Sequence, residues 1–154
     1  MYHYLTGRQY LDLISSFYDI SKAAKEERIA NLVYMLQMED VIHKPVSAYS
    51  RGMKQKLLIM AAIIHEPNLI VMDEPFTGLD PSTVEQLIKV INAERERGAG
   101  ILFSSHMLDI VTRISDKVVV IKNGNILIDD EIANVNHSGC LQKLLVGESN
   151  ESAE

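Results

Sequence analysis

The sequence predicts an α/β chain whose parallel-sheet core is preceded by an all-helical subdomain. Three observations predict it. Over residues 1–66, apart from a loop at 40–49, the apolar side chains recur at helical spacing. Two near-continuous apolar runs, NLIVM at 68–72 and GILFS at 100–104, flank an amphipathic helix, the pattern of strands buried on both faces of a parallel sheet. Two last short strands then meet across Asn123-Gly124, a pair suited to the positive φ angles of a tight hairpin. This order assigns 1–66 to a helical subdomain, 67–130 to the core, and 131–154 to a short helix and an acidic tail, GESNESAE, read as disordered.

Residues 8–20 carry Leu11, Ile14, Phe17, Tyr18 and Ile20 on a helical stripe. From Lys25 to Met38, Ile29, Leu32, Val33 and Leu36 follow the i, i+3, i+4, i+7 pattern and predict a second helix. Residues 40–49 contain Pro45 and have no period, so they read as a loop. Ser50 caps a third helix over 51–65, with Met53, Leu57, Met60, Ala61 and Ile64 on one face and Pro67 beyond its end. After the 68–72 strand, Asp80 and Pro81 stand as N-cap and first residue of a helix burying Val84, Leu87, Ile88 and Ile91 and stopping at Gly98. The strand at 100–104 leads to a short helix over 107–114 with Leu108, Val111 and Ile114 inward. Strands at 117–121 and 126–128 close the core as an edge ribbon.

With 154 residues, 47% of them hydrophobic and 23% charged, the composition is that of a soluble globular protein of about one domain. A net charge of −6 is opposite in sign to what a nucleic-acid binder needs, so no nucleic acid is expected as partner. The single cysteine, Cys140, forms no internal disulfide and offers no metal-ligand spacing, which fits a reducing compartment. The longest apolar run, Leu57 to Ile64, is eight residues, far below the roughly 20 that span a bilayer. The N-terminus lacks the pattern of a secretory signal.

Three segments carry possible chemistry. In LIVMDEP, residues 69–75, Asp73 and Glu74 stand at the carboxyl end of a predicted parallel strand, where open α/β sheets bind ligands. Asp73 suits a magnesium ion held through water, and Glu74 suits an attacking water. Alone, the pair fits a solvated strand end equally well. In YSRGMKQK, residues 49–56, a serine cap followed by Gly52 forms an anion site from free N–H groups and the helix dipole, with Lys54 and Lys56 adding positive charge. Serine caps begin many helices that bind nothing. In SSHM, residues 104–107, His106 stands where a strand gives way to a helix and can donate to a phosphate or order a water. His3, His43, His65 and His137 read as surface residues.

The order and spacing of these segments, 23 residues from Ser50 to Asp73, 7 from Asp73 to Asp80 and 33 from Asp73 to His106, resemble the ATP-binding cassette ATPases from about Tyr4 to Ile128. YSRGM resembles the family's signature sequence, LIVMDE its Walker B strand and glutamate, TGLDP its D-loop and SSH its switch histidine. Leu5, Thr6 and Gly7 match the segment just after the family's glutamine loop. The resemblance implies a partial P-loop NTPase (RecA-like) core, with ATP and Mg2+ as cofactors. It implies that Ser50 and Gly52 contact the γ-phosphate of ATP held by the opposite subunit, and that Arg51 and Met53 occupy signature positions. These two depart from the common LSGGQ form as in subunits serving ABC-2-type exporters. Asp73 would hold magnesium, Glu74 would act as general base or water positioner, Asp80 would cross the dimer interface, and His106 would contact the γ-phosphate. The implied partners are a second cassette subunit in a head-to-tail dimer and a membrane-spanning permease subunit that the helical subdomain docks on. The implied place is the cytoplasmic face of the cell membrane.

No GxxxxGK(S/T) sequence occurs in the chain, so the P-loop cradle, its lysine and its magnesium hydroxyl are absent from these residues. The chain resembles the C-terminal part of a cassette, expected to be inactive alone; an internally placed start, a divided gene or an expressed fragment each account for that. In the family's sheet the P-loop strand lies between the strands here at 100–104 and 117–121, and removing it bares two rows of backbone groups. The chain alone is therefore expected to fold poorly or to rely on a partner carrying the first half. Two functions from different classes follow: an ATPase subunit coupled to export through a separate membrane protein, or a noncatalytic remnant that binds a permease or an intact cassette subunit. A soluble cassette protein of DNA repair or translation fits less well, given the acidic charge and the YSRGM form.

Overall fold

The computed structural model describes residues 4–138. His3 and the tail from residue 139, with Cys140, lie outside the described residues, as does the side chain of His137. The chain divides into two compact units, one running to Ser104 and the other from Ser105.

The first unit opens with helix α1, Gly7–Ser15, capped by Thr6 in a capping box: Gln9 N–H donates to Thr6 Oγ1 at 3.1 Å and Thr6 N–H to Gln9 Oε1 at 2.9 Å. Helix α2, Lys22–Met35, is capped by Ser21 and buries Ile29, Leu32 and Val33. It ends in a Schellman turn, with Met38 N–H on Val33 O and Gln37 N–H on Tyr34 O. Arg8 joins the two helices, bonding Asp12 on its own helix and Glu26 on α2. Within the predicted loop, Val46–Ala48 forms one 3-10 turn.

Helix α3, Arg51–Ile63, packs Leu57, Met60 and Ala61 inward, with Ile64 buried at its C-cap. Strand β1, Leu69–Asp73, and strand β2, Gly100–Ser104, pair in parallel, Val71 opposite Leu102 and Asp73 opposite Ser104. Between them helix α4, Pro81–Glu96, has Asp80 as N-cap and buries Val84, Leu87, Ile88 and Ile91, the predicted face.

Four expectations need correction. The first helix stops at Ser15 rather than near residue 20, where the Ser15 and Ser16 hydroxyls bond back to the Asp12 and Leu13 carbonyls. Phe17, counted on its stripe, is 74% exposed. The strands are not buried on both faces. Ile70 is buried, but Val71 and Leu102, adjacent in register on the other face, are 67% and 62% exposed, because no other element of the first unit covers that face. Lastly, the ribbon of the second unit is a sheet of its own, hydrogen-bonded among the described residues to no other strand.

That second unit holds helix α5, Leu108–Ile114, strands β3, Lys117–Lys122, and β4, Asn125–Glu131, and helix α6, Ile132–Ser138. In α5, Ile110, Val111 and Ile114 are buried while Leu108 is half-buried. Asn123 and Gly124 at the β3–β4 turn have φ of 51° and 77°, as the hairpin requires.

Candidate functional site

At the carboxyl end of the β1–β2 pair one serine meets two consecutive acidic residues, the first by its carboxylate and the second by its backbone N–H. The Ser104 hydroxyl donates to Asp73 Oδ1 at 2.5 Å and accepts the N–H of Glu74 at 3.0 Å. Parallel register places Ser104 there, since it is the Cα partner of Asp73. Glu74 has φ +47°, left-handed for a residue with a side chain. Beyond it the chain turns: Thr77 N–H donates to Glu74 O at 3.3 Å, and the Thr77 hydroxyl donates to Glu74 Oε2 at 2.7 Å. Pro75 and Phe76 are buried beneath, Phe76 edge-on to Phe103 with ring centres 5.8 Å apart.

A second cluster forms at the N-terminus of α3. Ser50 accepts the Met53 N–H at 3.2 Å, leaving the earlier N–H groups of the turn unused by this cap. Tyr49, just before it, is buried, and its hydroxyl donates to Val41 O at 2.8 Å; burial raises its pKa. A Cβ on Gly7 would collide with that hydroxyl, so Gly7 and Tyr49 together fix where α3 starts. A Cβ on Gly52, by contrast, would stand 3.5 Å from Thr83 Oγ1 and 4.0 Å from Asp80 Oδ2, which is ordinary contact. Nothing within the described chain requires that glycine. The Arg51 guanidinium lies over Gly78, which has φ +70°.

Asp80 is bound at both oxygens, to Thr83 N–H at 3.0 Å and to the Thr83 hydroxyl at 2.7 Å; these donors, the N–H foremost, lower its pKa. The loop from Glu74 to Asp80 thus touches both clusters. One predicted member of the phosphate cluster does not belong: Lys56 is buried, and its ammonium donates to Leu36 O at 2.9 Å, turned into the fold rather than toward the helix start. Burial lowers its pKa, with the Asp80 charge acting against that. His106, in the second unit, is exposed beside Ser105, whose hydroxyl caps the Met107 N–H at 3.1 Å. His65 is no plain surface residue, for it stacks on Tyr18 with ring centres 3.8 Å apart and its Nδ1 is buried without a hydrogen-bond partner.

Ser104, Thr77 and Tyr49 are the residues sequence reasoning missed. The register of two apolar runs would have found Ser104 opposite Asp73. A hydroxyl three residues after a carboxylate in a turn was the signal for Thr77.

The likeness to known proteins is extensive. Residues 9–111 match the family described as "AAA domain, putative AbiEii toxin, Type IV TA system". The chain is 35% identical over 134 residues to the ABC transporter ATP-binding protein YthP of Bacillus subtilis, covering 87% of this chain and 57% of that protein. It is 36% identical over 126 residues to the ABC-type transporter ATP-binding protein EcsA of the same organism, covering 82% and 51%. The chain spans about half the length of these curated relatives. A solved ATP-binding subunit of an ABC transporter superposes with a TM-score of 0.85 at 32% identity, over 96% of this chain and 63% of that one. Among the described residues no helix is long and apolar enough to cross a membrane. The chain belongs to the AAA-domain family so matched and, within the P-loop NTPase fold, to the ATP-binding cassette ATPases.

Proposed function

We propose that this chain supplies the acidic strand tip and the signature helix of an ATP-hydrolysing cassette, working in a head-to-tail dimer at the cytoplasmic face of the membrane to drive export through a separate permease. The observation that carries this is the pairing of Asp73 and Glu74 on Ser104 at the end of parallel strands, with Glu74 held in left-handed backbone.

The residues fit a magnesium nucleotide. Asp73 is exposed and uses Oδ1 for Ser104, and Oδ2 has no hydrogen-bond partner among the described residues. Among those residues no group of three or more acidic, histidine or cysteine side chains could hold a metal by itself. The open Asp73 oxygen suits Mg2+, which keeps waters and takes one or two carboxylates together with phosphates. Bound Mg-ATP would supply the scissile phosphoanhydride and the charge that neutralises it. Ser104 would orient Asp73 toward the ion. Glu74 would accept a hydrogen bond from the attacking water and hold it in line. Ser50, with the unused N–H groups of α3 and the open approach at Gly52, would receive the γ-phosphate of a nucleotide gripped by the opposite subunit. Arg51 and Met53 complete that turn, Asp80 fixes the start of α4 at the subunit boundary, and His106 would donate to the γ-phosphate.

The test is ATP hydrolysis by the chain combined with a polypeptide carrying a GxxxxGK(S/T) strand–helix unit. Turnover is expected only in the mixture. Glu74→Gln should abolish it while leaving ATP-driven association intact; undiminished turnover in that variant removes Glu74 from its role. A noncatalytic interaction module is the second reading, favoured by the bare apolar face at Val71 and Leu102. Stable association without turnover in the mixture would select it.

A further inference from the structure

The loop between β1 and α4 is pinned at three points, and two of them lead from α3 to Glu74. Thr77 donates to one oxygen of the Glu74 carboxylate at 2.7 Å. Gly78, the next residue, turns the chain with φ +70° and lies under the Arg51 guanidinium: a Cβ there would stand 2.6 Å from Nη1 and 2.8 Å from Cζ. The third point is Asp80 on Thr83, against which Gly52 abuts. Arg51 makes no ion pair among the described residues, although an arginine in an acidic chain has many carboxylates to choose from. A cation in the first turn of a helix also opposes the helix dipole. Its place is explained by the flat face it lays on the Gly78 backbone.

We propose that Thr77 is a positioning residue for Glu74 and that Arg51 holds Thr77 in place through Gly78, so that the N-terminus of α3 sets the direction of the Glu74 carboxylate. The proposal rests on the reading of Glu74 as the group that handles the attacking water. A glutamate side chain is flexible, and a charge-assisted bond to one oxygen fixes where the other points. Such orientation acts on the chemical step rather than on nucleotide affinity. Movement at the α3 start would reach Gly78 by contact and Glu74 through the Thr77 hydroxyl.

Two measurements test this in the full chain. The first is amide hydrogen exchange at Thr77 and Leu79, whose N–H groups bond Glu74 O and Phe76 O. Arg51→Ala should speed both roughly tenfold while Leu57 in α3 and Leu87 in α4 keep their protection, and Arg51→Lys should fall short of full restoration, because a point charge lacks the flat fork. Wild-type protection at Thr77 and Leu79 in Arg51→Ala overturns the relay whatever the turnover. The second is turnover in the mixture with the P-loop polypeptide. Thr77→Val should lower kcat roughly tenfold with KM for ATP within about twofold, and Thr77→Ser should restore kcat. A KM effect alone, or no rescue by serine, overturns the positioning role. Released exchange in Arg51→Ala with undiminished turnover in Glu74→Gln would instead sink the catalytic reading of Glu74 and leave the contact between α3 and the loop standing.

Discussion

Gly52→Ala separates what the fold needs from what the site needs. Gly52 lies in the first turn of α3 and is not among the glycines with positive φ. A glycine inside a helix costs about 0.5–1 kcal/mol relative to alanine, through the backbone entropy lost on folding. The methyl would meet Thr83 Oγ1 at 3.5 Å, Thr83 Cγ2 at 3.7 Å and Asp80 Oδ2 at 4.0 Å, so no clash subtracts from that gain. The first turn is less demanding than the helix middle, and a gain of about 0.5 kcal/mol is expected, or on the order of 1–2 °C for a chain of this size. The urea midpoint followed by circular dichroism at 222 nm measures it. On the proposed function the same methyl would stand where a phosphate approaches the backbone, so ATP-driven association with the P-loop polypeptide should weaken at least about tenfold. Destabilisation would show that the glycine is structural after all. A stabilised variant that associates normally would remove the α3 start from the nucleotide site.

Other expectations are simpler. Ser50→Ala removes the cap on Met53 N–H and should cost about 1 kcal/mol, read as faster exchange in the first turn of α3; unchanged exchange would mean that the cap is dispensable. Burial first, and the Arg28 charge second, hold the His65 imidazole below its usual 6.5. The unfolded chain therefore takes up that proton first. The contribution is whole above about pH 6.5 and is lost as pH falls from there toward the lower folded value. His65→Phe keeps a ring on Tyr18 and should flatten that part of the pH–stability curve; an unchanged slope would clear His65. Val71→Thr with Leu102→Thr should reduce self-association in sedimentation while moving stability by no more than about 0.5 kcal/mol, since both side chains are exposed in the monomer. Equal association would mean that this face is not the sticky one.

Helices were legible where one face is buried and both ends carry punctuation. The α4 boundaries follow from Asp80, Pro81 and Gly98, and the four residues the spacing picks out are buried, although Thr83, Gln86 and Val90 are buried beside them. The α1 end was not legible, because Phe17 and Tyr18 continue the period that the serine hydroxyls at 15 and 16 interrupt by bonding backward. The burial of β1 and β2 was not legible because an apolar run records what a strand is suited to pack against, and in the described structure Val71 and Leu102 are exposed on one face of the pair. In the site, Asp73, Glu74, Ser50 and Asp80 were visible from local patterns. Ser104 needs the register of two separate apolar runs, and the contact of Arg51 with Gly78 depends on which distant segments come together, so spacing within one segment shows neither. Lys56 shows the converse, since a charge beside a cap looks like part of an anion site until its ammonium is found on the Leu36 carbonyl.

The backbone itself marks Glu74. Four non-glycine residues have positive φ, namely Gln37, Glu66, Glu74 and Asn123, among the described residues. Gln37 closes the Schellman turn of α2, Glu66 follows α3 with its N–H on Ile63 O, and Asn123 turns the β3–β4 hairpin. Each of these reverses or ends an element, which is where left-handed residues belong. Glu74 follows a strand, ends no helix and closes no hairpin. Its N–H goes to Ser104 and its carboxylate to Thr77. The left-handed state costs a side-chain-bearing residue about 1–2 kcal/mol, and glycine escapes that cost. Glu74→Ala and Glu74→Gly both delete the carboxylate and its bond to Thr77, so their difference isolates the backbone. Glycine should be the more stable of the two by about 1 kcal/mol, measured as the gap between their urea midpoints, the reverse of the order expected at Gly52. Alanine equal to or better than glycine would mean that φ at 74 relaxes freely, and the site would then lack the strained glutamate on which its chemistry has been argued.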